Sequence, residues 1–329
     1  MDSRFHHPPL LCHGISVVVP VYNSAATLDA LIARLGPVLT KMNCPFEAVL
    51  VNDGSPDKSW ETVERLCGHH PWIRGIDLMR NNGQENALLC GIRAARFDVI
   101  ATIDDDLQNP PEDIPRLVAR LEEGFDVVYG RPEKEQHGLF RDLASIITKL
   151  VLQNAMGATN ARNVTAFKVF RTQLREAFAQ YQSPHVSIDV LLTWGTQRFD
   201  AITVGHDPRT VGQSNFTFRK LVHHAINMLT GFSVVPLQLA SLTGFAFSLF
   251  GFAAMVYVLV DYFVRGDPVP GFPFLAALIA IFSGAQMFAL GIIGEYLARI
   301  HLRSMDRLPY AVRRETARSE DDPDQTSSR

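Results

Sequence analysis

Short apolar runs alternate with amphipathic stretches over about the first 130 residues of the chain. The β-branched runs predict strands, and apolar residues spaced three and four apart predict a helix after each of the first four strands. The predicted strands are 15–21, 46–51, 73–78, 99–103 and 125–129. Alternation of strands and helices is typical of a mostly parallel sheet with helices on both faces, so we expect an α/β fold.

The pattern changes to a strongly apolar one after about residue 220. From Leu221 to Val260, 40 consecutive residues contain no Asp, Glu, Lys or Arg, and from Pro268 to Gly294 another 27 contain none. About 20 apolar helical residues cross a bilayer core of ~30 Å. We therefore predict two membrane spans, near 236–260 and 272–293, that form a hairpin within residues 234–298.

Residues 216–233 connect the predicted N-terminal domain, 1–215, to this hairpin. Apolar residues recur there at helical spacing, opposite a basic and polar face that begins with Arg219 and Lys220. Such a pattern predicts an amphipathic helix lying in the headgroup region of a bilayer. The alternative is an ordinary helix packed on the N-terminal domain.

Charge predicts the orientation of the hairpin. Its loop carries Asp261, Arg265 and Asp267, whereas 299–318 contains six arginines against two acids. The positive-inside rule places both flanks in the cytoplasm. We therefore expect a multi-pass protein of the cell (inner) membrane whose N-terminal domain and both termini are cytoplasmic. Residues 299–329 then form a basic cytoplasmic segment with a disordered tail.

Composition narrows the function classes. The chain has 31 basic and 34 acidic residues, which removes the electrostatic case for a nucleic-acid partner. The four cysteines have no metal-ligand spacing and are predicted to be reduced thiols. The oligomeric state stays open, a homo-oligomer included.

Polar residues cluster where the predicted strands end. Asp53 follows the second strand, and Asp104, Asp105, Asp106 and Gln108 follow the fourth. Three adjacent acids repel one another, and oxygen ligands at Asp104, Asp106 and Gln108 suit Mg²⁺ or Mn²⁺ with further ligands from a substrate phosphate. The alternative is a solvated acidic loop that caps the helix starting near Pro111.

Five segments stand out together, in chain order SVVVPVYN, VNDGS, RNNGQENALLCGI, IDDDLQNPPEDIPRLV and FDVVYG. They closely resemble glycosyltransferase family 2, whose catalytic domain has the Rossmann-like GT-A fold. Within it the chain looks like the polyprenyl-phosphate glycosyltransferases, the group that includes dolichol-phosphate mannose synthase and the undecaprenyl-phosphate glucosyl- and aminoarabinose transferases. The resemblance extends over about residues 14 to 310 and includes the two C-terminal spans.

The resemblance implies a role for each matching position. The nucleotide-sugar donor, a UDP- or GDP-sugar, is expected at Pro20, Tyr22, Asn23, Asp53, Gly83 and Asp104. The catalytic acids are expected at Asp104, Asp105 and Asp106, and the metal ligands at Asp104, Asp106 and Gln108. The acceptor phosphate is expected at Arg131, Arg141, Ser145, Arg209 and Ser214.

The residues of the acceptor set support this assignment in part. Arg141 and Ser145 are four apart on a predicted helix and so share one face, and Arg suits bidentate phosphate recognition. The alternative for Arg141 is a surface ion pair. Three positions depart from the family pattern: Ser24 stands where Glu is frequent, Asn52 where Asp is frequent, and Asn215 where Lys commonly follows the Ser.

The expected reaction moves a sugar, with inversion, from a nucleoside diphosphate to a membrane polyprenyl phosphate. The lipid-linked monosaccharide would serve cell-envelope glycan assembly or modification. Two alternatives remain: a membrane-bound family 2 transferase that acts on a hydroxyl acceptor, and a non-catalytic membrane scaffold. The scaffold would be expected to have lost a metal ligand, and all three are present here.

Overall fold

The structure is a computed structural model that describes residues 14–132, 163–183, 186–207, 235–265, 271–305 and 308–316. The chain divides into two compact units: 1–217 together with 307–329, and 218–306.

Within the described residues, the first unit is built on one sheet of eight strands in the order β7-β5-β6-β4-β1-β2-β3-β8. The strands are β1 Ile15–Val21, β2 Phe46–Asn52, β3 Ile73–Leu78, β4 Val99–Thr102, β5 Val127–Pro132, β6 Lys168–Arg171, β7 Phe199–Val204 and β8 Val312–Glu315. The centre, β4-β1-β2-β3, is parallel, whereas β6 and β8 run antiparallel to their neighbours. The expected mostly parallel α/β sheet is confirmed.

Helices cover both faces of this sheet. They are α1 Leu28–Lys41, α2 Ser59–His69, α3 Gln84–Ala94, α4 Ile114–Glu122 and α5 Ile188–Thr193, with 3₁₀ turns at Pro111–Asp113 and Thr172–Phe178. Alternate residues of β1 face opposite layers. Val17 and Val19 join the core formed with α1, α2 and α4, while Val18 faces Gly91 of α3. The strands that are buried on both faces are correspondingly apolar throughout, as parallel strands in two-sided sheets are.

The sequence does not predict β8, which lies in the segment assigned above to a basic region and tail. Val312–Glu315 pairs antiparallel with β3 and forms the exposed edge of the sheet. Arg314 contacts Asp77 and Glu64, and the Met79 N–H donates to the carbonyl of Ala311 at 2.8 Å. A short, charged edge strand carries no apolar alternation, so its sequence resembles a solvated segment.

The part of the second unit that the structure describes contains two long helices, α6 Val235–Arg265 and α7 Phe272–Ser304. Windows at Leu237–Tyr257 and Ile281–Ala298 are long and apolar enough to cross a membrane, and neither is buried. The two helices contact each other at the rings of Phe247 and Phe282, whose centroids are 5.7 Å apart. Large exposed apolar surfaces of this kind favour a lipid environment, as expected for a membrane protein.

Candidate active site

The candidate site lies at the carboxyl edge of the parallel strands. Strands β4, β1 and β2 are neighbours and run parallel, so the loops that follow them meet at one end of the sheet. This end is where open α/β sheets bind ligands. The structure therefore brings together the loop after Val21, the Asp53 loop and the Asp104–Gln108 segment.

Asp53 holds the loop that precedes α3. Its Oδ1 accepts the Asn82 N–H at 2.7 Å and its Oδ2 accepts the Gly83 N–H at 2.8 Å. The side chain is buried, and burial raises its pKa although the two backbone hydrogen bonds oppose the shift. Gly83 has φ +94°, a conformation that favours glycine. Both oxygens of Asp53 thus bind backbone N–H groups, and the side chain shapes this loop.

Gly54, the next residue, permits the close approach of the two loops. Its φ is +61°, and a Cβ there would lie 2.5 Å from the carbonyl carbon of Arg80. A side chain at this position would push the Arg80 backbone away from the end of β2.

The loop after β1 is tied to the middle acid of the triplet. The Asp105 carboxylate accepts the Tyr22 N–H at 3.3 Å and the hydroxyl of Ser24, while the Asn23 N–H donates to Ser55 Oγ at 3.1 Å. Asn23 has φ +57°. Ser24, which departs from the family pattern, therefore has a defined partner. Tyr22 remains 43% exposed, so its ring is accessible to a ligand.

The second departure, Asn52, also has a defined partner. Its Nδ2 donates to Asp77 Oδ1 at 2.7 Å, and both side chains are buried. An acid at position 52 would instead face the carboxylate of Asp77, so the amide suits this pair.

Asp104 and Asp105 carry strongly shifted pKa values. Burial, reinforced by the charges of Asp106 and Asp105, raises the pKa of Asp104 to about 7, and burial raises that of Asp105 to about 6. Gln84 Nε2 donates to Asp104 Oδ1 at 2.7 Å. Leu107, in the same turn, has φ +63°, which costs a β-unbranched side chain about 1 kcal/mol or more. Strain and crowded charge coincide in one segment, which is typical of a functional site.

The oxygen ligands that this segment offers fit a hard divalent ion. Carboxylate oxygens of Asp104 and Asp106 and the amide oxygen of Gln108 are ligands that Mg²⁺ and Mn²⁺ accept. The described residues contain no group of three or more His, Cys, Asp or Glu side chains arranged for a metal. Two carboxylates and an amide therefore make a partial set, which suits an ion that takes further ligands from substrate phosphates and water.

Of the expected acceptor residues, Arg131 lies in the described part of the chain. It is exposed at the end of β5, and its Nη1 donates to Asn163 Oδ1 at 3.3 Å. The other four lie outside the described residues: Arg141, Ser145, Arg209 and Ser214.

The sequence did not single out several side chains that shape the site. Gln84 contacts Asp104, Glu85 and Lys168 act on its charge, and Asp189 binds Lys168. A charged Lys168 inside the apolar run AFKVF is the one signal that could have found the cluster, because Lys is rarely buried without a partner.

The fold and the site define a nucleotide-sugar-dependent glycosyltransferase of the GT-A class. Residues 16–181 match the model of glycosyl transferase family 2. This match spans half of the chain, and the chain belongs to that family. The sequence resemblance, the fold class and the enzyme class are thereby confirmed.

Curated relatives match over nearly the whole chain. The chain is 35% identical over 290 residues to the undecaprenyl-phosphate 4-deoxy-4-formamido-L-arabinose transferase of Photorhabdus laumondii, covering 87% of this chain and 89% of that protein. The enzyme of the same name from Yersinia enterocolitica gives the same identity and coverage. The matched region includes far more than the catalytic motifs, since it extends over most of both chains.

Solved structures confirm the fold. Glucosyl-3-phosphoglycerate synthase from Mycobacterium tuberculosis, in complex with Mn²⁺, UDP-glucose and phosphoglyceric acid, aligns with a TM-score of 0.51 at 18% identity over 66% of this chain and 78% of that one. Mannosyl-3-phosphoglycerate synthase from Rubrobacter xylanophilus aligns with a TM-score of 0.51 at 16% identity, covering 66% and 72% of the two chains. At these identities the likeness concerns the fold alone.

Proposed function

We propose that this protein transfers a sugar from a nucleoside-diphosphate sugar to the phosphate of a membrane polyprenol, with inversion in one displacement. One observation carries the proposal: the Asn82–Gly83 loop, which Asp53 holds, and the Asp104–Gln108 segment lie at the same edge of one sheet. The relatives named undecaprenyl-phosphate transferases, matched over 87% of the chain, support the acceptor class.

The donor is proposed to bind across β1, β2 and β4. The exposed Tyr22 ring, with Pro20 and Asn23 beside it, would contact the nucleoside, and the loop that Asp53 holds at Gly83 would border it. A divalent cation, Mg²⁺ or Mn²⁺, would be held by Asp104, Asp106 and Gln108. When bound, it supplies positive charge to the diphosphate leaving group.

The acceptor is proposed to bind on the side of Arg131, with Arg141, Ser145, Arg209 and Ser214 completing its phosphate site. A described contact supports the inclusion of Arg209. The segment just before Arg209 lies against the Asp104–Gln108 segment, because the Asp207 N–H donates to the Gln108 carbonyl at 2.9 Å. Guanidinium groups suit a phosphate because they offer paired donors.

A phosphate acceptor lessens the need for a strong base. The second pKa of a phosphate monoester is about 6, so the acceptor is largely a dianion at pH 7. Asp105 is engaged by Ser24 and the Tyr22 N–H, so we assign it the positioning of the β1 loop. Asp104 and Asp106 are proposed to act through the cation.

The test is transfer from radiolabelled UDP- and GDP-sugars by the full chain in detergent, scored as label in extracted lipid. 4-Deoxy-4-formamido-L-arabinose, carried on UDP or on GDP, is the first sugar to try, given the relatives' names. Undecaprenyl phosphate and dolichyl phosphate should accept the sugar, whereas undecaprenol should not. Equal transfer to the free alcohol, or product only in the aqueous phase, would favour a hydroxyl acceptor and contradict the proposal. An Asp106→Asn protein from the same preparation serves as the inactive control.

We further propose that α6 and α7 cross the inner membrane as a hairpin, with the catalytic domain and both termini cytoplasmic. A tag after Arg329 should resist protease in right-side-out vesicles and be cleaved in inverted ones. The opposite result would overturn the orientation drawn from charge.

A further inference from the structure

A buried charged cluster lies on the sheet face that packs against α3 and α5. Lys168, in the middle of the sheet on β6, is 1% exposed, and its Nζ binds Asp189 Oδ1 of α5. The Tyr129 hydroxyl of β5 donates to the same oxygen at 3.0 Å. Glu85 of α3 joins the cluster by accepting the Ile188 N–H at 2.8 Å. Four elements therefore meet at one internal set of charges.

This cluster lies directly behind Asp104. In the sheet, Lys168 is paired with Thr102 of β4 on one side and Tyr129 of β5 on the other, so the three side chains share a face. Asp104 follows Thr102 by two residues. The Thr102 hydroxyl donates to the Ala166 carbonyl at 2.7 Å and fixes the end of β4 to the chain that enters β6. Electrostatically, Lys168 lowers and Glu85 raises the pKa of Asp104.

Stability does not account for these charges. Desolvating a buried ion pair costs about as much free energy as the pair returns, and apolar side chains of similar volume are often neutral or stabilising in its place. The neighbours of Lys168 on β6 are apolar and buried, so an apolar residue at 168 would suit the local packing. The lysine requires a reason beyond folding.

We propose that Lys168, held by Asp189 and Tyr129, is a positioning residue that sets the carboxyl end of β4 so that Asp104 meets the metal and diphosphate of the donor. The proposal rests on the proposed function and deepens it. Glu85, Asp104 and Asp189 converge on this region, and Lys168 supplies a positive charge to all three. Without it, the carboxylates would repel and displace the strand end, and displacements of about 1 Å suffice to weaken a site greatly.

The decisive variant replaces Lys168 and the two residues that hold it at once: Lys168→Met, Asp189→Leu and Tyr129→Phe. In this triple variant Glu85 keeps the Ile188 N–H as its hydrogen-bond donor, and the ion pair is replaced by apolar side chains, so the variant should keep a thermal midpoint within a few degrees of wild type. Its affinity for Mn²⁺ in the presence of UDP or GDP, measured by electron paramagnetic resonance of free Mn²⁺, should fall about tenfold or more. Lys168→Arg alone should recover most of that affinity.

A matched control lies on the same strand. Arg171 pairs with Asp126 at 3.1 Å, at the opposite end of β6 from the site, and both side chains are largely buried. Arg171→Met should lower stability and leave Mn²⁺ affinity unchanged. A folded triple variant with wild-type Mn²⁺ affinity, or an equal loss in Arg171→Met, would overturn the positioning role.

The outcomes also separate this inference from the proposed function. If the wild type bound no Mn²⁺ with either nucleotide, the donor site itself would be wrong and both proposals would fall. If the wild type bound Mn²⁺ and transferred sugar while the triple variant bound Mn²⁺ equally well, the positioning role alone would fall.

Discussion

Two acidic groups at the same edge of the sheet are held in opposite ways. Asp53 is buried, and each of its oxygens receives a backbone N–H from the Asn82–Gly83 turn. Asp104 and Asp105 stand beside a third acid, and the pKa of Asp104 is raised to about 7 by burial and by its neighbours' charges. The Asp53 loop, proposed above to border the nucleoside and called here the nucleoside half, is therefore satisfied by the protein alone. The Asp104–Gln108 segment, proposed to meet the diphosphate and called here the diphosphate half, calls for added positive charge.

Replacement of Asp106 should have the largest effect and should strike only the diphosphate half. Asp106→Ala removes a proposed ligand, so transfer should fall by about 100-fold or more, because charge on the leaving group is no longer neutralised. Excess chelator should do the same to the wild type. Binding of the free nucleoside, measured by calorimetry, should be unchanged. Full turnover in excess chelator would contradict the proposal that a divalent cation neutralises the leaving group.

Reversal of charge on the acceptor side should leave both donor halves intact. Arg131→Glu and Arg141→Glu place a carboxylate where a dianion is proposed to bind, and should lower transfer about 100-fold at fixed acceptor concentration. Nucleotide and Mn²⁺ affinity should stay within a few-fold of wild type. An equal loss of donor binding would assign these arginines to the donor site or to the fold, and unchanged transfer would make them surface residues.

Asp53→Asn should break the nucleoside half selectively. The amide can accept only one of the two N–H groups and points an NH₂ at the other, so the Asn82–Gly83 turn should shift. We expect nucleoside affinity to fall about tenfold, and Mn²⁺ affinity with pyrophosphate to change far less. The matched control is Asp200→Asn. It alters an acid of β7 that is bound to Arg120 of α4. Equal losses in both assays would mean that the two halves are one unit.

The ends of the parallel strands could be predicted from sequence because two-sided strands are apolar throughout and stop abruptly at polar residues. Strand β1 at Ile15–Val21 and β3 at Ile73–Leu78 were predicted with their observed bounds. The loop residues Asp53 and Asp104 followed from the same reasoning. The sequence did not predict which of the three adjacent acids would contact which loop. Asp105 differs from its neighbours only in the direction that its side chain takes.

Long-range partners were beyond a pattern of local spacing. Asp189 meets Lys168 from 21 residues away, and Arg314 meets Asp77 from 237 residues away. No periodicity in the sequence predicts either of these pairs. The exposed edge strand β8 was missed for the same reason, because its stabilising contacts come from β3 and not from its own sequence.

Strand β8 offers a smaller perturbation that sharpens the comparison. It is bonded through Ala311 to Met79, which lies three residues before the Asn82–Gly83 turn that Asp53 holds. Deletion of residues 308–329 should therefore reduce nucleoside affinity a few-fold and spare Mn²⁺ affinity with pyrophosphate. A deletion of 317–329, which keeps the strand, is the control. A loss confined to Mn²⁺ binding would contradict the division into halves.

The smallest expected effect is a pH dependence of stability at Cys90, a buried thiol of α3 that is hydrogen-bonded to Tyr310 and is acted on by the charge of Glu315 in β8. Burial raises the pKa of Cys90 to about 12, above the ordinary value of a thiol. An elevated pKa means that folding favours the neutral thiol, so its contribution is fully present below about pH 9 and is lost as pH rises toward 12. Between these limits the free energy of unfolding of wild type should fall, relative to Cys90→Ala, by about 1.4 kcal/mol per pH unit. Urea titrations of both proteins at pH 8, 9 and 10 measure this difference.

The reactivity of the thiols gives a second measurement. Cys44, which is less buried, should react with iodoacetamide at pH 8.5 while Cys90 does not. Deletion of 308–329 should make Cys90 reactive, because the covering strand is gone. If Cys90 stayed protected after that deletion, β8 would not be what covers this part of α3, and its support of the nucleoside half would have to come from Met79 alone.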